Sequence, residues 1–353
     1  MWRTTALATL AGIALAFASP GATEERAPRR QPRPDGLLVL AVLAPERAIV
    51  ADPRTGRATA RELPGGTLCH GPLLAVGDRL VYAGLRGGRP TALAAPLRRP
   101  GSRGRVATLQ RRASATASTG SSAPADRGGV RSLGPAEILT ASPAPGRLWL
   151  GGRPRSRSPI VLREVDSRGR PSGRRAAVPM RSWVVGVIEE GVVLGHGARI
   201  VLLTPSARRD LGSGWPLAVA GSRVAWCPEG CRRIRVWNEG ATASFEPPAG
   251  IRPEPTDNAA FAPDGRRLAL AVKARGRSRA AIVDLESGRW HLVPGGRLAG
   301  YGAIAWSPSG GWLYFSRGSR VLASRAGAEP AVTLPIRTGG SVMDIASGPT
   351  STP

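Results

Sequence analysis

Several things are scarce in this 353-residue sequence: aromatics make up 5% of it, and there are only three histidines and three cysteines. Three cysteines (Cys69, Cys227 and Cys231) are too few for a disulfide scaffold, and their spacing does not fit a zinc site. His70, His196 and His291 stand far apart, with no His-x-x-x-His and no carboxylate at ligand spacing, so neither a metal nor a cofactor is expected. Lys273 is the only lysine, and 24 carboxylates face 50 basic residues. Glycine (46) and proline (33) are abundant, together about a fifth of the chain. Both disfavour helix interiors, which excludes a helical bundle, and the lack of a Gly-x-y period excludes collagen. A hydrophobic content of 42% excludes wholesale disorder. What remains is a turn-rich, all-β protein.

The formal net charge of +26 is almost entirely arginine. Such a field attracts polyanions, whether it arose from GC-rich coding bias or for function. The arginines are spread along the chain and concentrate in low-complexity stretches, not in a stripe interleaved with aromatics, so specific nucleic-acid recognition is not expected. An anionic surface such as phospholipid or an acidic wall polymer is the alternative partner.

The N-terminus carries a compartment signal. Met1-Trp2-Arg3 is followed by an uncharged stretch, Thr4 to Ala18, dominated by Ala, Leu and Ile. It is short for a membrane span and suits a signal-peptide core, with small-x-small cleavage at Ala16-Phe17-Ala18 or at Ala22. Residues 1–22 therefore read as a signal peptide and 23–35 as a basic, Pro-rich linker. Export to a secreted or cell-envelope location follows from this reading.

A repeat fills the rest. Phe261-Ala262-Pro263-Asp264-Gly265-Arg266-Arg267-Leu268 aligns with Trp306-Ser307-Pro308-Ser309-Gly310-Gly311-Trp312-Leu313, and Ser142-Pro143-Ala144-Pro145-Gly146 is a third, longer copy. Looser copies keep only a glycine ahead of an apolar strand. The markers Gly36, Gly77, Gly146, Gly191, Gly221, Gly265 and Gly310 are spaced 41, 69, 45, 30, 44 and 45 residues apart, near the ~40–45 of propeller blades. The long interval holds an Arg/Ser/Ala/Gly-rich insertion at 98–129. A second turn recurs with an Asp at the strand end and a Gly beyond it, at 51–56, 165–169 and 283–288.

These patterns predict a β-propeller of about seven four-stranded blades over residues 36–347, with a disordered tail at 348–353. The Phe-x-Pro-Asp-Gly-x-x-Leu-Ala pattern at 261–269, followed by Val-Asp-Leu-Glu-Ser-Gly at 283–288, resembles the WD-repeat-like propeller repeat of TolB-type proteins. The resemblance implies the fold and a tendency towards protein binding. TolB itself has an additional N-terminal α/β domain, and no segment here looks like one.

Nothing apolar before Gly36 offers an innermost strand for the first unit, whose other strands are expected at 37–43, 47–51 and 59–63. After a last outer strand at 331–336, Ser341 to Ser347 is expected to pair with 37–43 and close the ring from both termini.

Chemistry is harder to find. There is no Gly-x-Ser-x-Gly elbow, no phosphate-cradling loop and no calcium loop. Glu189-Glu190 precedes a turn and is not arranged as an acid/base pair. Trp149, Trp226, Trp237, Trp290, Trp306 and Trp312 stand at strand ends and are expected to pack between blades. Cys227 and Cys231 flank a Pro-Glu-Gly turn between two strands and are expected to form a disulfide. The expected function is therefore non-enzymatic binding of a protein or an anionic envelope component by a monomer, with peripheral membrane or wall association. The alternative is a propeller hydrolase or lyase acting on envelope glycans or small molecules, with His196 or His291 near the axis.

Overall fold

The computed structural model describes residues 33–43, 47–61, 73–86, 89–97, 130–153, 158–256, 258–299, 302–326 and 329–348. Pro34–Pro353 form one compact unit; of the other, Met1–Arg33, only Arg33 is described. The expected signal peptide, most of the linker, the 98–129 insertion, Cys69 and His70 lie outside the described residues.

Seven antiparallel sheets form the blades of a propeller. Blade two runs Leu74–Val76, Arg79–Arg86, Arg89–Pro96 and Arg131–Pro135, from the axis outwards. Blade three has Ile138–Ala141, Arg147–Gly152, Ile160–Asp166 and Pro171–Val178; blade four has Trp183–Val187, Val192–His196, Arg199–Leu203 and Arg208–Ser213. Blade five has Trp215–Ala220, Arg223–Cys227, Ile234–Asn238 and Ala241–Phe245. Blade six has Arg267–Ala274, Arg277–Asp284 and Trp290–Arg297 outside an inner position shared by Ile251–Pro253 and Ala259–Phe261. Blade seven has Ile304–Trp306, Trp312–Arg317, Arg320–Arg325 and Val332–Thr333. Blade one joins both termini: Ser341–Gly348 is innermost, then Leu37–Leu43, Arg47–Ala51 and Ala58–Arg61. The innermost strands touch their neighbours in a closed cycle, so they line the axis.

Alternation along each middle strand explains the packing. In Leu37–Leu43, Leu38, Leu40 and Val42 face blade seven, while Leu37, Val39 and Ala41 face blade two. Both faces are buried, which is why the strand reads as one continuous apolar run. Seven such clusters fill the seven blade interfaces. Each fully buried Leu or Val contributes about 1.5–3 kcal/mol.

The ring closes as the sequence predicts, with Leu37 opposite Gly348, Leu40 opposite Ile345 and Leu43 opposite Ser341. A clasp reinforces it: Tyr314 donates to the Asp35 carbonyl at 2.6 Å, and Ser309 to the Asp35 carboxylate at 3.0 Å. Three boundaries differ. The expected 59–63 strand begins one residue earlier, at Ala58, and is described to Arg61, with residues 62 and 63 outside the described residues; Gly348, assigned to the tail, belongs to a strand. The expected 331–336 strand is paired at Val332–Thr333, with Leu334 still donating its N–H to the Val321 carbonyl at 2.9 Å, and Pro335, which has no N–H to give, ends the ladder there. Leu334 and Ile336 turn inward to the core instead.

Successive strands alternate in direction, so the connections sort to two ends. The turns from first to second and from third to fourth strands lie at one, here the Asp end. All seven marker glycines sit there, at the first-to-second turn. Six hold positive φ, such as Gly265 at 68°, which favours glycine. Gly191 is the exception: a Cβ there would lie 2.1 Å from the Leu203 carbonyl oxygen. The turns from second to third strands, and from each blade to the next, lie at the opposite, Arg end.

Candidate functional site

Two cavities of about 540 and 420 Å³ open along the axis. Their walls are the innermost strands of blades three to seven and the closing strand, so they are lined by Val184 to Val187, Leu217 to Val219 and Ile304 to Trp306. Among the described residues, Arg223 is the one titratable side chain in either lining. Asp344, on the closing strand, accepts hydrogen bonds from the backbone N–H of Leu73 and Ile345 and helps fix that strand.

A third cavity, about 760 Å³, lies at the Arg end between blades four, five and six. Trp183 and Trp215 form one side. They begin the innermost strands of consecutive blades, opposite Gly195 and Cys227 respectively, and remain 46% and 50% exposed. Gly195 lets Trp183 lie against the strand: a Cβ there would sit 2.1 Å from the indole. The other side is the loop from Cys227 to Cys231, whose cysteines are joined in a disulfide with Cα atoms 4.9 Å apart. Arg252 anchors that loop, donating from Nη2 to the Gly230 carbonyl at 2.8 Å. Glu229, Glu254 and Lys273 complete the charged lining, with Glu254 accepting from Ser278. The two tryptophans were not among the candidate residues. Their signal was legible, since Ser182-Trp183-Val184 and Gly214-Trp215-Pro216 occupy equivalent repeat positions.

The sequence candidates scatter. His291 lies exposed on the outermost strand of blade six, opposite Ile282, which removes it from the axis. His196 ends the second strand of blade four at the Arg end, and its Nδ1 is 3.0 Å from the Ser182 hydroxyl. The cleft lining passes through Trp183 and Gly197 but includes neither member of that pair. Glu189 and Glu190 follow one another in a bend at the Asp end. Among the described residues, no group of three His, Cys, Asp or Glu side chains could hold a metal, and no helix is long and apolar enough to cross a membrane. Of the expected packing tryptophans, Trp149, Trp226, Trp237 and Trp306 are buried, while Trp290 and Trp312 are half-buried.

Electrostatics at the Asp end serve the turns. The Asp284 carboxylate accepts from the N–H of Ser287 at 2.7 Å and of Glu286 at 3.1 Å, and the Ser287 bonds foremost hold it below the usual range. At Asp166, burial pushes the other way, but the N–H groups of Arg170 and Arg168 and nearby arginines prevail and lower it. Asp264 is lowered against burial by Arg266 and Arg267. Arg267 also lies 4.7 Å from the Trp306 ring centroid and donates to Gly310, tying blades six and seven.

No family model and no curated protein matches the sequence. Solved structures do resemble it. A Lactobacillus plantarum protein is 9% identical at a TM-score of 0.53, covering 88% of this chain and 99% of its own. An acylaminoacyl peptidase is 10% identical at 0.53, over 83% of this chain but only 48% of the peptidase. TolB from Acinetobacter baumannii is 13% identical at 0.49, over 89% and 67% respectively. Identities this low concern the fold alone, and the two likenesses at 0.53 agree with the propeller described above.

Proposed function

We propose that the protein is an exported, non-enzymatic β-propeller that binds a protein or an anionic envelope component through its Arg end. One observation carries this reading. The half-exposed pair Trp183 and Trp215 borders an open cleft, while the axial cavities bring together no acid and base among the described residues. Exposed aromatics in a concave setting are common anchors of binding sites. Export rests on the signal-like residues 1–22. The test is capture from the native envelope with the wild-type protein and with Trp183→Ala/Trp215→Ala. The double variant is expected to keep its melting temperature and lose the captured component; capture that is unchanged overturns the reading.

A second reading, a hydrolase, is favoured by the Ser182–His196 contact, since a hydroxyl hydrogen-bonded to an imidazole is the core of an activated nucleophile. No described carboxylate orients the ring from its other side. Hydrolysis of ester or glycan substrates that disappears in both Ser182→Ala and His196→Ala would favour it.

A further inference from the structure

We infer that the Arg end docks on an anionic phospholipid bilayer. This rests on the binding reading above and chooses among its partners.

The polarity of the ring follows from its repeat. The recurring Asp of the third-to-fourth turn places a carboxylate at the Asp end of blades one, three and six, through Asp52, Asp166 and Asp284. Among the described residues no equivalent acid recurs at the Arg end, where the hairpin tips of three consecutive blades carry cations. Blade five presents Arg232, blade six Lys273, Arg275 and Arg277, and blade seven Arg317 and Arg320. All six are exposed, and none is in an ion pair among the described residues. The described carboxylates nearby are fewer and mostly engaged. Glu137 pairs with Arg153, Glu246 with Arg233, and Glu254 binds Ser278, leaving Glu229.

The same end exposes large apolar side chains. Met180 is 57% exposed, beside Arg181, and Trp183 and Trp215 follow at the start of their strands. Cations at hairpin tips, all at one end of a ring, match a planar layer of anionic headgroups. Indole rings favour the interface just beneath that layer. Charge and apolar insertion are the two signals that stable peripheral attachment requires. A nucleic acid would answer to the cations but not to Met180, and an acidic protein would not call for exposed cations on the same end of three consecutive blades together with exposed indoles.

The experiment is co-sedimentation of the full chain with phosphatidylcholine vesicles, with and without phosphatidylglycerol. The apolar N-terminus is present in every variant, so it cancels in the comparison. Each cation near an anionic surface raises partitioning by about fivefold. Lys273→Ala/Arg275→Ala/Arg277→Ala should therefore lower phosphatidylglycerol-dependent binding by about a hundredfold. Arg168→Ala/Arg170→Ala/Arg289→Ala, exposed at the Asp end, should change it by no more than about twofold, since those charges face away from the bilayer and are screened. Trp183→Ala/Trp215→Ala should lower the part that survives added salt, relative to the wild type carrying the same N-terminus. Equal losses from the two triple variants, binding without phosphatidylglycerol dependence, or full competition by soluble polyphosphate with no effect of the tryptophans would each overturn the proposal. Failure on vesicles while tryptophan-dependent capture from the envelope stands overturns the bilayer alone; failure of both overturns the binding reading as well.

Discussion

The two ends of the ring are cut from the same four-stranded repeat, yet their side chains are used differently. At the Asp end the polar groups are turned back on the chain itself. Asp52, Asp166 and Asp284 accept from N–H groups two to four residues on, and Asp35 is held between Ser309 and Tyr314. Such turns need a carboxylate and a glycine to exist, so their residues are committed to structure. At the Arg end the hairpins of blades four, six and seven are two-residue turns held by backbone pairing, such as Ala274 opposite Arg277, and Lys273, Arg275, Arg277, Arg317 and Arg320 there are exposed and in no ion pair among the described residues. The Asp end thus spends its recurring carboxylates on its own turns, while the exposed cations of the Arg end are left to present chemistry. If so, changes at the Asp end act on stability, and changes at the Arg end act on binding.

The largest effect tests the fastening. Deleting residues 340–353 removes the innermost strand of blade one, including Val342 and Ile345, which pack in the cluster between blades seven and one. Losing two buried aliphatic side chains costs about 3–6 kcal/mol on transfer alone. The strand Leu37–Leu43 is also left as an open apolar edge, a template for aggregation. Thermal unfolding and size-exclusion chromatography should report a large fall in melting temperature or an insoluble product. An unchanged melting temperature and solubility would break the closure model and with it the ring.

Much of this architecture was legible because it is periodic. The glycine markers and the Asp turns repeat at blade spacing, and each falls at the same connection in the structure. The closing strand was legible too, since Ser341 to Ser347 reads as an innermost strand with no blade of its own. The cleft was not, because it is assembled from three blades. Trp183, the disulfide loop and Lys273 are far apart in sequence and meet only through the order of the ring. The imbalance between the ends was hidden for a related reason. Arginines are spread along the chain, and only the up-and-down course of the strands gathers the recurring turn carboxylates at one end. His291 failed as an axial candidate on the same ground, since a repeat position does not show on sight which of four strands is innermost.

A middle-sized effect is expected at Asp284. Asp284→Ala deletes an acceptor that takes three hydrogen bonds, two from backbone N–H groups and one from the Ser287 hydroxyl at 2.8 Å. A hydrogen bond to a charged group is worth about 1.5–3 kcal/mol, and the half-exposed setting places the loss near the lower bound, about 1.5 kcal/mol. Because those bonds hold the folded carboxyl below its ordinary value, its stabilisation is complete above the ordinary Asp range. It is lost as pH falls from there through the folded value. The variant should therefore lose stability at neutral pH and show a weaker acid dependence below about pH 4. Glu229→Ala, at the Arg end, should change neither. If the two substitutions behave alike in denaturant titrations at both pH values, the division between the ends fails.

The smallest effect is also the most discriminating, because it has opposite signs in two assays. Arg275 and Gly276 form the two-residue tip of the Ala274–Arg277 hairpin, and both have positive φ, 51° and 73°. A two-residue hairpin turn of this kind suits the twist of its strands but wants Asn or Gly at its first position. Arginine there carries part of the penalty of a left-handed L-residue, and nothing in the hairpin's packing explains its presence. Arg275→Asn keeps the turn and relieves that penalty, because asparagine tolerates the left-handed region well. A gain of about 0.5 kcal/mol, or about a degree in melting temperature, is expected. The same substitution removes one cation from the Arg end and should lower binding to anionic vesicles about fivefold. A stabilised variant that binds as well as the wild type would mean that the left-handed arginine is incidental, and that the presenting end lies elsewhere on the ring.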